Sequence, residues 1–243
     1  MPRACGPYNA ETSVRLTQRA DIFAAGRRHC RGVRRLCLVF GCCLLCLGAA
    51  APQWLGRFSA SDLTGWAEHR FSGLTRYTLG DAGSGIALQA VSQGTASALY
   101  HETRVDLTRT PVLHWRWRVD HGPTGLDELS RGGDDYAARL YVVYRRGLLR
   151  KPFAINYVWS GSQARGASWP NAWLPEHSIM VAVRGTQDKT GHWYAESRNV
   201  REDFRRLLGV DIDHIDVVVL MSDTDNQLGS AEAWYGDSYF AAE

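Results

Sequence analysis

Three oxygen-bearing side chains lie close together near the C-terminus, in "SDTDNQL" (residues 222–228). They are Asp223, Asp225 and Asn226, the residue types that bind Ca²⁺ through oxygen. The spacing lacks the glycine and the bidentate glutamate of an EF-hand loop. Two hypotheses remain: a structural Ca²⁺ held by Asp223, Asp225 and backbone carbonyls, or a turn in which the acids accept bonds from backbone amides.

A second acidic stretch, "GGDDYAAR" (132–139), leads into a predicted strand over 135–144. Period-two alternation places Asp135, Arg139 and Tyr141 on one face of that strand, with Asp135 and Arg139 about 13 Å apart along it. We expect these residues either to meet a ligand or to form an ion pair that holds the strands in register.

The third candidate is aromatic. "SGSQARGASWPNAW" (160–173) reads as a long loop that carries Trp169, and long irregular loops in compact domains are often functional. An exposed tryptophan stacks on the apolar face of a sugar, whereas a buried one would close the end of the fold as a hydrophobic plug. The preceding strand "FAINYVWS" adds Asn156 and Trp159 to the candidates, although Trp159 alternates with the residues expected in the core.

Sequence motifs for common enzyme classes are absent. The chain has no G-x-S-x-G, no H-E-x-x-H, no P-loop and no G-x-G-x-x-G. If the protein is an enzyme, the remaining hypothesis is a glycan hydrolase or lyase that uses Asp135 with Asp223 or Asp225. That hypothesis requires the carboxylates to flank a scissile bond.

The elements that position these residues are mostly strands. In "VLHWRWRVD" (112–120) the residues Leu113, Trp115, Trp117 and Val119 alternate with polar ones, which is the pattern of a half-buried antiparallel strand. Further strands are predicted at 70–78, 85–92, 95–101, 153–160, 178–184, 192–200, 214–222 and 233–240.

Glycine-rich and proline-rich turns separate these runs at intervals near ten residues, which is typical of a sandwich. One helix is predicted over 199–209, since it has apolar residues at helical spacing, early acids, late arginines and a terminal glycine. We therefore predict an all-β, jelly-roll-like antiparallel β-sandwich over 51–243, a single domain with one short helix near 200–209.

Residues 1–50 differ from the rest and are predicted to be an N-terminal extension with a secretory signal. The basic "RRHCRGVRR" precedes the apolar "LCLVFGCCLLCL" and the small residues "GAAAP". The apolar run is shorter than a membrane span, which needs about 20 residues. We expect the true start near Val33 or Val14, a periplasmic or secreted protein, and membrane contact only through this segment.

The charge of the chain depends on this division. Residues 1–50 hold all six cysteines, eight of the 28 Lys and Arg and two of the 25 Asp and Glu. The remainder therefore has 20 basic and 23 acidic side chains, a net charge of −3. It lacks the basic excess typical of nucleic-acid binding.

A set of motifs in fixed order gives a family resemblance. "WRWRVD", "GDDYAARLYVVY", "NYVWS", "SWPNAW", "RNVREDFRRLLG" and "DTDN" followed by "AWYGDSYF" resemble the uncharacterised bacterial family known as domain of unknown function 3047. The resemblance covers Trp54 to Phe240 and implies a secreted or envelope protein, with no catalytic residues to carry over.

The sequence favours a carbohydrate-binding or glycan-binding module, without a cofactor other than the structural Ca²⁺ considered above. The alternatives are the paired-aspartate enzyme and a purely structural envelope protein. The ligand-binding candidates are Asp135, Arg139, Tyr141, Asn156, Trp159, Trp169, Asp223 and Asp225.

Overall fold

Two seven-stranded sheets form the protein in the computed structural model, which describes residues 50–147 and 151–243. The strands are β1 (Gln53–Gly56), β2 (Trp66–Ser72), β3 (Arg76–Asp81), β4 (Ile86–Gln93), β5 (Ala96–Asp106), β6 (Val112–His121), β7 (Arg139–Tyr144), β8 (Phe153–Trp159), β9 (Ser168–Pro170), β10 (Ser178–Arg184), β11 (Tyr194–Asn199), β12 (His214–Asp223), β13 (Ser230–Tyr235) and β14 (Ser238–Ala241).

Sheet I has the order β1-β14-β6-β13-β4-β3, and β11 pairs with β6 as its seventh strand. Strands β13 and β14 follow one another along a single edge of β6, because β13 pairs with its second half and β14 with its first. Sheet II has the order β2-β5-β12-β7-β8-β10-β9. The predicted jelly-roll-like β-sandwich is confirmed; its pairs are antiparallel except for β8 and β10, which run parallel.

The core lies between the sheets and follows the alternation of the sequence. On β6, the side chains of Leu113, Trp115, Trp117 and Val119 are at most 3% exposed, whereas the residues between them face outward and are half-buried. Burying four large apolar side chains of one strand stabilises the fold by roughly 1.5–3 kcal/mol for each.

Trp159 belongs to this core, which contradicts its prediction as a ligand-binding residue. Its side chain is 6% exposed, and its ring meets Trp117 edge-on at 6.3 Å and Tyr194 at 5.4 Å between centroids. The ring therefore faces the opposite sheet rather than solvent.

The helix is confirmed at its predicted place as α1 (Val200–Asp203), which continues in π-helical form over Phe204–Leu208. Asn199 caps its first turn by accepting a bond from the Glu202 amide at 3.0 Å. Gly209 ends it at φ 67°, a left-handed conformation that favours glycine.

Several predicted boundaries differ from the structure, and the strand expected over 70–78 is divided into β2 and β3 by residues 73–75. The strand expected over 135–144 begins only at Arg139, and the strand expected over 233–240 is divided into β13 and β14 at Gly236 and Asp237. The loop expected over 160–173 contains the short strand β9. Period-two alternation thus predicts which side chains face the core, but it does not predict where a strand is interrupted.

The predicted N-terminal extension, its secretory signal and the start near Val33 lie outside the described residues. Within residues 50–147 and 151–243, no helix has the length and apolar character needed to cross a bilayer.

Replacing Trp159 by alanine is expected to lower the free energy of unfolding by about 3–5 kcal/mol, because it removes a large core ring and leaves a cavity. Urea unfolding followed by far-UV circular dichroism measures this loss. Trp173→Ala is the matched control, since Trp173 is 46% exposed and should change stability little. Equal stability of both variants would contradict the placement of Trp159 in the core.

Candidate functional site

A buried guanidinium is at the centre of the acidic cluster, which comprises Asp134, Asp135, Arg139, Asp223 and Asp225. Arg139 Nη2 donates to Asp223 Oδ2 at 3.0 Å and to the Asp134 carbonyl oxygen at 3.1 Å. The Asp134 carboxylate lies 3.6 Å from Nη1, and the guanidinium carbon lies 4.5 Å from the centroid of the Tyr136 ring. One cation thus connects the start of β7 to the end of β12.

Strand register explains why these two side chains meet. Met221 of β12 is paired with Arg139 of β7, so Asp223, two residues further on, lies on the same face just past the start of β7. Asp134 and Asp135 precede the strand and lie in a turn, which contradicts the expectation that they begin β7 and that Asp135 is separated from Arg139 by strand geometry.

The Asp135 carboxylate connects two loops. Its Oδ1 accepts from the amide N–H of Asn226 at 3.1 Å and from the Asn226 side chain at 2.9 Å, and its Oδ2 accepts from the Gln227 amide at 2.9 Å. Gln227 in turn donates to the Gly132 carbonyl at 2.7 Å. The residues that resembled a metal loop therefore form a turn whose amides bind an aspartate from another part of the chain.

A tyrosine hydroxyl from sheet I reaches the same cluster. Tyr235 Oη accepts a bond from the Arg139 amide at 3.1 Å and donates to the Met221 carbonyl at 2.7 Å. The Tyr235 ring itself lies in the core between the sheets, where it is 1% exposed.

Negative charge exceeds positive charge in the acidic cluster, which has four carboxylates and one guanidinium. Burial raises the pKa of Asp223 and of Asp134, and Arg139 opposes the rise at both. Burial and the neighbouring Asp135 also raise the pKa of Asp225. The cluster therefore binds protons more readily than free carboxylates do.

The same carboxylates are close enough together to hold a cation. Asp135, Asp223 and Asp225 each offer an oxygen, and these oxygens lie within 4.8 Å of one another. The oxygens of Asp135 and Asp223 already accept bonds from N–H groups, so a structural Ca²⁺ would have to compete with those donors. The calcium hypothesis stays a prediction.

The paired-aspartate enzyme hypothesis requires a cleft between the carboxylates. Asp135 and Asp223 do converge, but they are 1% and 2% exposed, and their nearest carboxylate oxygens are within 4.8 Å. Glycosidase carboxylates are about 5–5.5 Å apart in retaining enzymes and about 6.5–9.5 Å apart in inverting ones, on either side of a substrate. Because both are buried, Asp135 and Asp223 do not flank an open cleft. The pairing of Asp135 with Asp225 stays a prediction.

Three other candidates lie in one row across the outer face of sheet II. Tyr141 is paired with Asn156, Asn156 with Met180 and Met180 with Trp169. Tyr141 is half-buried and packs beside Tyr100 and Val143 in an apolar patch.

Asn156 and Trp169 are buried, which corrects their prediction as ligand-binding residues. Asn156 is 5% exposed and donates to the Ser178 hydroxyl at 2.8 Å. Trp169 is 6% exposed, and its Nε1 donates to the Glu128 carbonyl at 3.1 Å. The Trp169 ring packs with Tyr136 and Met180, so the alternative of a hydrophobic plug is the one observed.

An exposed tryptophan four residues further on was missed as a candidate. Trp173 is 46% exposed, and the Arg131 guanidinium lies over its ring at 4.8 Å. The Asn171 side chain accepts bonds from the amides of Trp173 at 3.0 Å and Leu174 at 3.1 Å, which fixes this turn. The spacing of Trp169 and Trp173 in one loop was the available signal, but nothing in the sequence distinguished the buried ring from the exposed one.

Three loops therefore meet at one end of the sandwich. We name this region the loop end and define it by its accessible or half-buried side chains Arg131, Trp173, Asp225, Asn226 and Gln227. The buried members of the acidic cluster, Asp134, Asp135, Arg139 and Asp223, lie beneath it and connect its loops through hydrogen bonds.

The motifs that build this end of the fold are those of a known family. The family model described as "Protein of unknown function (DUF3047)" matches residues 64–239. The chain belongs to the DUF3047 family. The resemblance predicted from the motifs is thus confirmed. No curated protein matches the chain.

Solved structures similar to this DUF3047 chain are distant. The family 11 carbohydrate-binding module of the cellulase Lic26A-Cel5E of Clostridium thermocellum is 9% identical, with 79% of this chain and 95% of that chain covered and a TM-score of 0.44. The xyloglucanase domain of NopAA from Sinorhizobium fredii is 10% identical, with 79% and 99% covered and a TM-score of 0.41. At these scores the matches do not determine the ligand of this protein.

Arg139→Met is expected to destabilise the protein by about 3–5 kcal/mol, because it leaves buried carboxylates without their cation. The double variant Arg139→Met/Asp223→Asn should recover part of that loss. A double-mutant cycle measured by urea unfolding gives the coupling between the two side chains. Strictly additive effects of the two substitutions would contradict a direct interaction.

Stability is expected to depend on pH through the same carboxylates. The pKa values of Asp223 and Asp225 are raised in the folded state. Their contribution to the free energy of unfolding is therefore complete below the unfolded value, about pH 4, and is lost as pH rises through the folded values. Asp225→Asn should therefore stabilise the protein relative to wild type increasingly as pH rises from 4 to 7.

Urea unfolding at several pH values tests this dependence, with Asp211→Asn as the control of opposite sign. Arg201 lowers the pKa of Asp211, so its contribution is present at neutral pH and lost as pH falls. If Asp225→Asn showed the same slope as Asp211→Asn, the assigned direction at Asp225 would be wrong.

Proposed function

We propose that this protein is an exported glycan-binding β-sandwich, periplasmic or secreted, and that it binds a neutral sugar chain at the loop end. The observation that supports the proposal best is the exposed ring of Trp173 beside polar side chains on loops that hydrogen bonds connect. Aromatic rings with a few placed polar groups are typical of small-molecule and sugar sites.

The Trp173 ring suits a stacking role because it is both exposed and held. Its turn is fixed by Asn171, and Arg131 covers part of the ring while its Nε donates to the Ala172 carbonyl at 3.2 Å. A ring that is already ordered loses little conformational entropy when a sugar stacks on it, which favours binding.

Polar groups of the third loop supply hydrogen bonds for sugar hydroxyls. Asp225 is half-buried and offers carboxylate oxygens as acceptors, while Gln227 is exposed. The carboxylates beneath them make this end acidic, so acidic sugars would be repelled. The ligand class favoured here is therefore a neutral glycan.

Hydrogen bonds from the acidic cluster hold the loops of the loop end in fixed positions, which favours ligand binding. Asp135 fixes residues 226–227, and Arg139 fixes Asp223 and residue 134, so the polar rim is held in place before any ligand arrives. The same saturation also favours the structural alternative, in which these aspartates serve only the fold.

Trp173→Ala is expected to weaken binding of neutral oligosaccharides at least tenfold, because it removes the stacking surface. Isothermal titration with cell-wall-type and storage-type neutral oligosaccharides measures the affinity. Phe71→Ala is the matched control, since Phe71 is 50% exposed on β2, outside the loop end residues, and it should bind these ligands like the wild type.

Two results would oppose the proposal. If the folded wild-type protein gave no heat with any neutral oligosaccharide, the structural alternative would be favoured. If Phe71→Ala weakened binding as much as Trp173→Ala, the ligand would not be held at the loop end.

A further inference from the structure

The outer face of sheet I carries aromatic rings and arginines in alternation, at a distance from the loop end. We name it the aromatic–arginine strip and define it by Trp54, Arg57, His114, Arg116, Arg118, Trp193, Trp234 and Tyr239. The outward residues of β6 form its axis, and His114 and Arg118 are about 13 Å apart along that strand.

One end of the strip is a stack of rings. Tyr239 is paired with Trp54 on one side and with His114 on the other, so their side chains share one face. The Tyr239 ring lies 4.9 Å from each of them, nearly parallel to His114. Arg57 lies over the Trp54 ring at 5.7 Å.

The other end places guanidinium groups between tryptophans. Arg118 lies 5.5 Å from the Trp193 ring and 5.2 Å from the Trp234 ring, and Arg116 lies 4.8 Å from the Trp193 ring. Such contacts hold a guanidinium flat against the sheet.

The charges of this strip are only partly neutralised. Asp120 pairs with Arg118 at 2.8 Å. Within the part of the chain that the structure describes, neither Arg116 nor Arg57 has a carboxylate within 4.0 Å; each contacts a tryptophan ring instead. Arg116 is therefore available to an anion, and Arg57 is available in part, because it also lies near Asp62, whose pKa is lowered by hydrogen bonds and by the charge of Arg57.

The Arg116 side chain packs against the backbone of Gly236, in space that a side chain at position 236 would occupy. A Cβ at Gly236 would lie 2.3 Å from Arg116 Cγ and 2.4 Å from Nε, so only glycine leaves room for this arginine to lie across the end of β13. Its guanidinium is thus ordered before binding, which reduces the entropy lost on recognising an anion.

We propose that the aromatic–arginine strip binds an acidic polysaccharide, with the sugar rings on the accessible side chains of Trp54 and Tyr239 and the carboxylates on Arg116 and Arg57. Trp234 is 7% exposed and contacts Arg118 without offering a surface to the ligand. A guanidinium donates to a carboxylate in a two-pronged, charge-assisted geometry. A linear polymer fits because the two groups of rings are joined along β6 by His114, Arg116 and Arg118. The site does not share residues with the loop end, which is acidic and is built from the loops between β6 and β7, between β9 and β10 and between β12 and β13.

Charge distinguishes this ligand from a nucleic acid, which aromatic and basic side chains also bind. Residues 51–243 have 20 basic and 23 acidic side chains. Such a domain lacks the extended basic surface that tracks a polyphosphate backbone, whereas a guanidinium beside aromatic rings matches the carboxylate and the ring of a uronate.

The test compares oligogalacturonate with the same oligomer after methyl esterification, which removes the charge and retains the rings. By isothermal titration, the wild-type protein should bind the acidic oligomer, bind the esterified oligomer at least tenfold more weakly, and lose affinity as salt is raised. Arg116→Gln and Trp54→Ala should each weaken binding of the acidic oligomer about tenfold or more.

Arg109→Gln and Trp173→Ala are the controls, because Arg109 is exposed elsewhere on the surface and Trp173 lies at the loop end. Both should bind the acidic oligomer like the wild type. Circular dichroism confirms that each variant is folded, and Arg116→Lys tests whether charge alone restores part of the affinity.

The proposal is overturned if the folded wild-type protein does not bind the acidic oligomer or binds the esterified oligomer equally well. It is also overturned if Arg109→Gln is as harmful as Arg116→Gln. Tighter binding of a single-stranded oligonucleotide that Arg116→Gln abolishes would assign the strip to nucleic acid instead. If Trp173→Ala did not weaken the binding of neutral sugars, that result would contradict the proposed site at the loop end and would leave the proposal for the strip unchanged.

Discussion

The ion pair between Arg139 and Asp223 is the interaction on which one end of this sandwich depends. A single guanidinium pairs with two buried carboxylates, those of Asp134 and Asp223, and donates to the backbone just before β7. Asp135 extends the arrangement by fixing the loop after β12 through its amides. Isolated buried charges are costly, so the groups that pair with them are held together. The loops that carry these groups are therefore fixed jointly, and the exposed residues of the loop end are fixed with them.

Alternation of polar and apolar residues was enough to predict the strands and their faces. Strand β6 is the clearest case, since its inward tryptophans and outward arginines are arranged as the sequence indicates. The helix was also predictable, because Asn199 and Gly209 provide chemical signals for its two ends. These are local properties of the chain, which sequence periodicity reports directly.

The contacts of the candidate site depend on register between distant strands and could not be predicted in the same way. Asp135 and Arg139 seemed to lie on one face of a continuous strand. In the structure residues 134–138 are irregular, the Tyr136 ring packs against Arg139, and the strand begins only at Arg139. Likewise, Trp169 and Trp173 share one loop, and only the pairing of β9 with β10 shows which ring is covered.

The Tyr235 hydroxyl fixes the thickness of the sandwich at one point. Its ring spans the interior from sheet I, and its oxygen is bonded to the backbone of two neighbouring strands of sheet II. The side chain thus acts as a spacer of set length between two surfaces that are otherwise held apart by adaptable apolar packing. Any repacking of the core that changed this separation would strain those bonds and displace the amide of Arg139.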